Sequence, residues 1–131
     1  MAATESYPAD LKYHREHDWA RVDGDEAVLG ITWFAQDALG ELVHYEAPDV
    51  GSAVTKDQAY GEVESVKAVS DVIAPLSGEV LEANQKVVDA PETVNDDPYG
   101  EGWLVRIRVG DPSEVDALLD VDAYKQVVAE Q

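Results

Sequence analysis

One residue in this chain stands where covalent chemistry could occur. Lys67 lies in the run Gly61-Glu62-Val63-Glu64-Ser65-Val66-Lys67-Ala68-Val69-Ser70-Asp71-Val72. Before it, Ala59, Gly61, Val63 and Ser65 alternate as small or apolar positions. After it, Ala68, Ser70, Val72 and Ala74 alternate in the same way. Two period-two stretches meeting at one point predict strands on either side of a reversal. That puts Lys67 on an exposed tip between the short side chains of Val66 and Ala68. A long, unshielded primary amine is a handle for acylation. A catalytic lysine needs burial to become a base, and this one has Glu62, Glu64 and Asp71 for neighbours. On pattern alone, an ordinary surface lysine fits the same residues.

Other chemistry finds little support. Cysteine is absent, which excludes disulfides, thiol nucleophiles and Cys-based zinc sites. Sulfur or redox chemistry would have to arrive on an attached group. His14 and His17 flank Arg15 and Glu16, but strand positions three apart face opposite ways, and no third ligand is apparent. Asp120-Val121-Asp122 lacks the Gly and terminal Glu of a calcium loop and reads as a helix cap. Ser65 and Ser70 have no histidine base in a recognisable arrangement.

The elements that would position Lys67 are mostly short strands. Ala20 and Val22, then Ala27, Leu29 and Ile31, alternate about the turn Asp23-Gly24-Asp25 and predict a hairpin. Val43, Tyr45 and Ala47 predict a half-buried strand stopped by Pro48. Trp103, Val105, Ile107 and Val109 predict another, with Leu104, Arg106 and Arg108 on its other face. Thr32 can cap a short helix from Ala35 to Leu39, with Gly40 at its end. Asp111-Pro112-Ser113-Glu114 reads as a capping-box-like start, followed by Val115, Leu118 and Leu119 at helical spacing and then Tyr124, Val127 and Val128. Ala47-Pro48-Asp49-Val50-Gly51 echoes Ala74-Pro75-Leu76-Ser77-Gly78, which fits two related β halves. Asp89 to Glu101 reads as a polar loop.

Length and charge bound the rest. The chain has 131 residues, 45% of them hydrophobic, one domain's worth. It can bury roughly two-thirds of its unfolded surface. Nine basic against 28 acidic residues give a net charge of −19. That disfavours nucleic acid and anionic membrane partners. The acids are spread along the whole length, which suggests a solvated, halophilic surface more than a partner-steering one. No run approaches a membrane span, and the N-terminus has neither a signal peptide's basic region nor a transit peptide's arginines. The expected location is the cytoplasm.

Several motifs resemble one known family. Gly-Glu-Val-Glu-Ser-Val-Lys-Ala-Val-Ser-Asp looks like the lipoyl-attachment motif of the glycine cleavage system H proteins. Lys12-Tyr13 with His17-Asp18-Trp19 resembles that family's opening strand. Leu29-Gly30-Ile31-Thr32 and Phe34-Ala35-Gln36-Asp37-Ala38-Leu39-Gly40 resemble its first block. Ala74 to Val80 follows the attachment hairpin as the family requires, and Asn95 to Leu104 resembles its late loop and strand. In order, these motifs cover the chain from about Leu11 to Val128.

The resemblance implies a mainly β barrel-sandwich hybrid with a short internal helix and C-terminal helices. It implies one lipoyl-carrier domain over 1–131, with 1–10 a flexible extension. It implies lipoate bound as an amide to Lys67, in the context of Glu64, Ser65, Val66 and Ala68. The implied partners are glycine decarboxylase, aminomethyltransferase, dihydrolipoyl dehydrogenase, and a lipoate ligase or lipoyl transferase. The lipoyl arm would shuttle the aminomethyl group of glycine among the first three, and the chain itself would catalyse none of the steps. An acid between His and Trp of the opening strand contacts the bound amine in the family; Asp18 stands there, where Glu is more usual, with Glu16 and Asp71 as further candidates. Asp18 otherwise reads as an exposed strand acid. Trp33 also departs from the family, which often has a polar residue there. Rival readings are a lipoyl relay to 2-oxoacid dehydrogenases, a biotin carrier (a family that flanks its lysine with Met), an unmodified acidic interaction protein, or an enzyme using Asp18 and Glu16 as a carboxylate pair.

Overall fold

A computed structural model describes residues 3–131. Among the described residues, nine strands form two antiparallel sheets that enclose the core. Strands β1 (Lys12–His14), β2 (Asp18–Asp23), β3 (Glu26–Ile31), β5 (Ala53–Val54), β8 (Gly78–Ala83) and β9 (Val105–Val109) make a six-stranded sheet in the order β1-β2-β3-β9-β8-β5. Strands β4 (Leu42–Glu46), β6 (Ala59–Ser65) and β7 (Val69–Ile73) make the second, in the order β4-β6-β7. This is the mainly β barrel-sandwich arrangement expected. The two Ala-Pro segments leave β4 and β7 in parallel roles: each carries the chain from the small sheet to the large one, where β5 and β8 pair through Ala53↔Glu79 and Val54↔Gly78.

Alternation explains the hairpins. In β2–β3, Val22 pairs with Ala27 and Ala20 with Leu29, so the apolar residues share the inward face. Gly24, at φ 64°, makes the left-handed turn between them. In β6–β7, Glu64 pairs with Val69, which leaves Ser65 to Ala68 as the reversal. Trp19 lies flat on β3: a Cβ on Gly30 would sit 2.5 Å from its ring, so only glycine fits there.

Four expectations change. Strand β4 is bulged between Leu42 and His44, so Leu42 and Tyr45 point inward while Val43 faces solvent. Ala59 and Ala68 are exposed, and a second bulge in β6 buries Tyr60 instead of continuing the small-residue face. Leu104 is buried rather than facing out with the arginines, and β9 starts only at Val105. The polar loop contains α3 (Thr93–Asp96), and a further short helix, α2 (Gln85–Asp89), leads into it and ends at its first residue.

At the helices, Thr32 caps α1 (Trp33–Leu39) by accepting from Ala35 N, and Gly40 closes it at φ 84°. Asp111 caps a 3-10 helix, Pro112–Ala117, which ends before Leu118. The capping box does not close: Glu114 turns away to accept from Ser77 N at 2.8 Å and Ser77 Oγ at 3.0 Å. Asp120 caps α4 (Val121–Ala129) through Ala123 N at 2.8 Å.

A second apolar cluster, Leu11, Tyr13, Trp19, Tyr99 and Tyr124, forms beneath α4. Tyr13 and Tyr124 stack at 4.6 Å with planes 7° apart. The extension expected to be flexible over 1–10 (its first two residues lie outside the described ones) meets the body here. Ala3 N donates to Asn95 O, Trp33 Nε1 to Ala3 O, and Tyr99 Oη to Ser6 O. No helix among the described residues is long and apolar enough to cross a membrane.

Candidate functional site

Ser65 builds the tip that carries Lys67. Its backbone N donates to Ala68 O at 2.8 Å. Its buried hydroxyl oxygen accepts from Lys67 N at 3.3 Å and from Ala68 N at 3.2 Å. A side-chain oxygen thus takes the place of the backbone carbonyl that usually closes a turn. The short reversal is rigid at its base and leaves Lys67 exposed. Lys67 makes no ion pair or side-chain hydrogen bond among the described residues. Its stem passes Gly40, where a Cβ would stand 3.6 Å from Lys67 Cε, an ordinary contact. Beside Gly40 opens a hollow of about 400 Å³ with Asp37, Glu41 and Glu92 on its walls. A free amine with open space on its sides can accept an acyl group and let it swing.

Asp18, Glu16 and Asp71 gather at the far end of β7, but in two layers. Glu16 and Asp71 line a shallow cleft of about 300 Å³ together with Asp57, Ser70 and Ile73. Asp18 is not the exposed strand acid that its sequence context allowed; it is 2% exposed. Its Oδ1 accepts from Ile73 N at 3.3 Å, tying β2 to β7 across the two sheets. Its Oδ2 is buried with no partner among the described residues, as is Tyr60 Oη. Burial drives the Asp18 carboxyl well above the ordinary carboxylate range; Glu16 adds to the rise, and the Ile73 N–H opposes it.

The sequence did not single out His14 or Asp57 for this cleft. Glu16 N donates to His14 Nδ1 at 3.0 Å, so Nδ1 is the accepting nitrogen and Nε2 is left to donate to Asp57 Oδ1 at 2.7 Å. One imidazole therefore orients both the Glu16 backbone and the Asp57 carboxylate. Asp57 itself holds φ 71°, uncommon for a residue with a Cβ. Its only signal in sequence is that Asp tolerates turns. His17 goes elsewhere: its Nδ1 lies 2.8 Å from Tyr124 Oη, and burial lowers its pKa. No group of three or more His, Asp or Glu among the described residues could hold a metal. Trp33 sits at the helix start, where its backbone N donates to Tyr99 Oη.

This arrangement has relatives. The family model described as "Glycine cleavage H-protein" matches residues 11–131. A glycine cleavage system H protein of Anaeromyxobacter sp. (strain K) is 54% identical over 124 residues, covering 95% of this chain and 97% of that protein. One from Symbiobacterium thermophilum is 52% identical over 117 residues, covering 89% and 91%. The crystal structure of a glycine cleavage system H protein from Mycobacterium marinum superposes with a TM-score of 0.87 at 40% identity, covering 94% of this chain and 99% of that one. A family match across nearly the whole chain, joined to an exposed lysine on a braced hairpin, places the chain in the glycine cleavage H-protein family, the non-catalytic lipoyl carriers that serve glycine decarboxylase, aminomethyltransferase and dihydrolipoyl dehydrogenase.

Proposed function

We propose that Lys67 is the lysine that carries the lipoyl group and that Asp18, Glu16 and Asp71 receive its cationic cargo. The observation that carries the first half is the tip itself. Five lysines are available. Lys86 pairs with Glu101 at 3.6 Å, and Lys12, Lys56 and Lys125 sit on a strand, a turn and a helix. Lys67 alone projects from a two-stranded hairpin whose backbone is pinned from below by Ser65. When bound, the lipoyl group supplies the sulfurs that the chain lacks, and on them the aminomethyl carbon of glycine travels. The contribution of the protein is to anchor, to hold and to exclude water.

Holding falls to the cleft acids. Glu16 and Asp71 present carboxylates at the rim, and a cationic amine between them gains charge-assisted hydrogen bonds. Asp18 lies one layer deeper with an unpartnered oxygen. An ammonium reaching it would favour its ionised form and satisfy that oxygen at once. The shorter Asp side chain reaches less far than Glu would, and Asp71 faces the cleft from the opposite strand. Residues 1–131 are taken as a single carrier domain with residues 1–10 as an extension, of which the described part, from Ala3 on, is laid along the aromatic cluster. A cytoplasmic location belongs to the same reading, because the reduced arm is a dithiol and thiols persist in reducing compartments.

Reconstitution with the three partner enzymes tests the assignment. Lys67→Arg keeps the charge and the fold but should abolish glycine-dependent ammonia release. Retained release by that variant would overturn the choice of lysine. Asp71→Asn and Asp18→Asn should leave lipoylation intact and shorten the lifetime of the loaded carrier.

A further inference from the structure

We propose that Asp57 is a further carboxylate that receives the cationic amine of the cargo, and that His14 is the residue that positions it. The proposal rests on the reading of the cleft given above and adds two residues from outside the attachment motif. An amine that enters the cleft meets Glu16, Asp57 and Asp71 on its walls, beside Ser70 and Ile73. Asp18 lies behind this lining, 2% exposed, with Oδ1 on the Ile73 N–H and Oδ2 without a partner among the described residues. Asp57 is therefore the third carboxylate of the cleft wall. It comes from the β5–β6 turn, whereas Glu16 comes from the β1–β2 turn and Asp71 from β7.

Asp57 is fixed through both its backbone and its side chain. Its backbone N donates to Ala74 O at 2.9 Å, just past the end of β7, which holds the turn against the strand that carries Asp71. Its Oδ1 accepts from His14 Nε2 at 2.7 Å. Its Oδ2 has no hydrogen bond among the described residues, and the side chain is 63% exposed. The His14 side chain is only 10% exposed. Its Nδ1 accepts from Glu16 N at 3.0 Å, and a backbone N–H can only donate. Nδ1 therefore carries no proton, the ring is neutral, and its one proton sits on Nε2 facing Asp57. With both ring nitrogens engaged, His14 orients its neighbours rather than moving protons.

A neutral donor is what a cation-receiving carboxylate requires. A lysine or arginine in place of His14 would orient Asp57 and cancel its charge. The neutral imidazole orients it and leaves the charge for an incoming ammonium. Arg15 and Lys56 border a separate hollow of about 270 Å³ together with His14 and Asp57, yet neither pairs with Asp57 among the described residues. These features set Asp57 apart from the other acids of a chain with net charge −19: a fixed backbone, a fixed Oδ1, a free Oδ2 and a concave wall shared with two more carboxylates. The chemistry of the occupant follows. The described residues offer no metal site. A primary ammonium has three N–H donors, and its contacts to oxygen are longer than metal–oxygen bonds, so it suits three acids spread around a cleft.

Nuclear magnetic resonance of the unlipoylated, 15N-labelled protein tests the site without the arm. The His14 ring should show Nδ1 unprotonated and Nε2 protonated. Methylammonium chloride should shift the His14 Nε2 and Asp71 amide signals, and KCl at equal ionic strength should not. Asp57→Asn keeps an acceptor for Nε2 and tolerates the φ of 71°, and it should remove the His14 shift. On the lipoylated carrier loaded from glycine, Asp57→Asn and Asp57→Gly should each shorten the lifetime of the cargo by about threefold. Both replacements adopt that φ, so the fold is kept, and thermal melts check this. His14→Gln, whose amide can still donate to Asp57, should keep more of the lifetime than His14→Leu. Equal lifetimes for those two variants would show that the ring only fills space, and would overturn its positioning role. A methylammonium shift at Asp71 with none at His14, or a wild-type lifetime in both Asp57 variants, would overturn the inference and leave the rest of the cleft reading standing. No shift at either residue, together with an unaltered lifetime in Asp71→Asn, would bring down the cleft reading itself.

Discussion

Asp18 shows how much one residue can depend on tertiary context. Its place after His17 suggested a role but not its burial, because a strand acid beside a turn reads as solvated. Its depth comes from β7, whose Ile73 N–H donates to its carboxylate across the gap between sheets. Burial raises its folded-state pKa above the unfolded value of about 3.9. The folded protein then holds a proton that the unfolded chain releases, so this group makes stability fall as pH rises from about 4 through the folded value. Asp18→Asn removes that slope. Melting curves between pH 4 and 8 should show the variant gaining on wild type as pH increases; a constant difference would mean that Asp18 is ionised and paired in the fold. Ser65 is the contrasting case. Its value lies in three backbone contacts at the tip, and the attachment motif made its position legible though not its hydrogen bonds.

At the scale of elements, the acidic row across β4, β6 and β7 sets a measurable cost. Replacing Glu62 with Gln relieves two opposed pairs at once. The melting temperature should rise by about 2–4 °C in low salt. No rise would show that the carboxylates splay far enough apart to ignore one another. The strands themselves were legible wherever alternation ran unbroken, as in β2–β3 and over 61–65 and 70–74 on either side of Lys67. It failed at bulges, since an extra residue leaves no mark in composition: Val43 looked inward by count and faces water. The short helices α2 and α3 were also illegible. Four or five residues are too few to show a helical period, and they persist only through tertiary support. Asn84 supplies part of it, accepting from Lys86 N and donating to Glu101 O and Trp103 O. Asn95 supplies more, with its amide nitrogen donating to Gln36 Oε1 and Gly40 O while its oxygen accepts from Leu42 N. No local pattern announces such a hub. The cleft was half legible for the same reason: the motif resemblance named Glu16, Asp18 and Asp71, whereas His14 and Asp57 join them only once β1 and the β5–β6 turn have folded together.

For the whole molecule, the dominant physical fact is a charge of −19 over 6598 Å² of surface. Among the described residues few of the acids are paired with Lys or Arg. Arg106 bridges Glu26 at 2.8 Å and Glu82 at 3.3 Å, and Lys86 reaches Glu101 at 3.6 Å, at partly or fully exposed positions where such pairs contribute little. Added KCl should therefore raise the melting temperature well beyond physiological ionic strength, as repulsion among the remaining acids is screened. A flat or falling curve would reject salt adaptation as the reason for the acidic surface. Two sheets brace a short hairpin whose tip exposes Lys67, and under the proposed assignment the function follows from a lipoyl group attached there. Intact-mass measurement with peptide mapping, on protein purified from lipoate-replete cells, tests this most directly. The account predicts one lipoyl group per chain, located on Lys67 and absent from Lys67→Arg. A lipoyl group on any other lysine, or a Lys67 that remains bare, would contradict it.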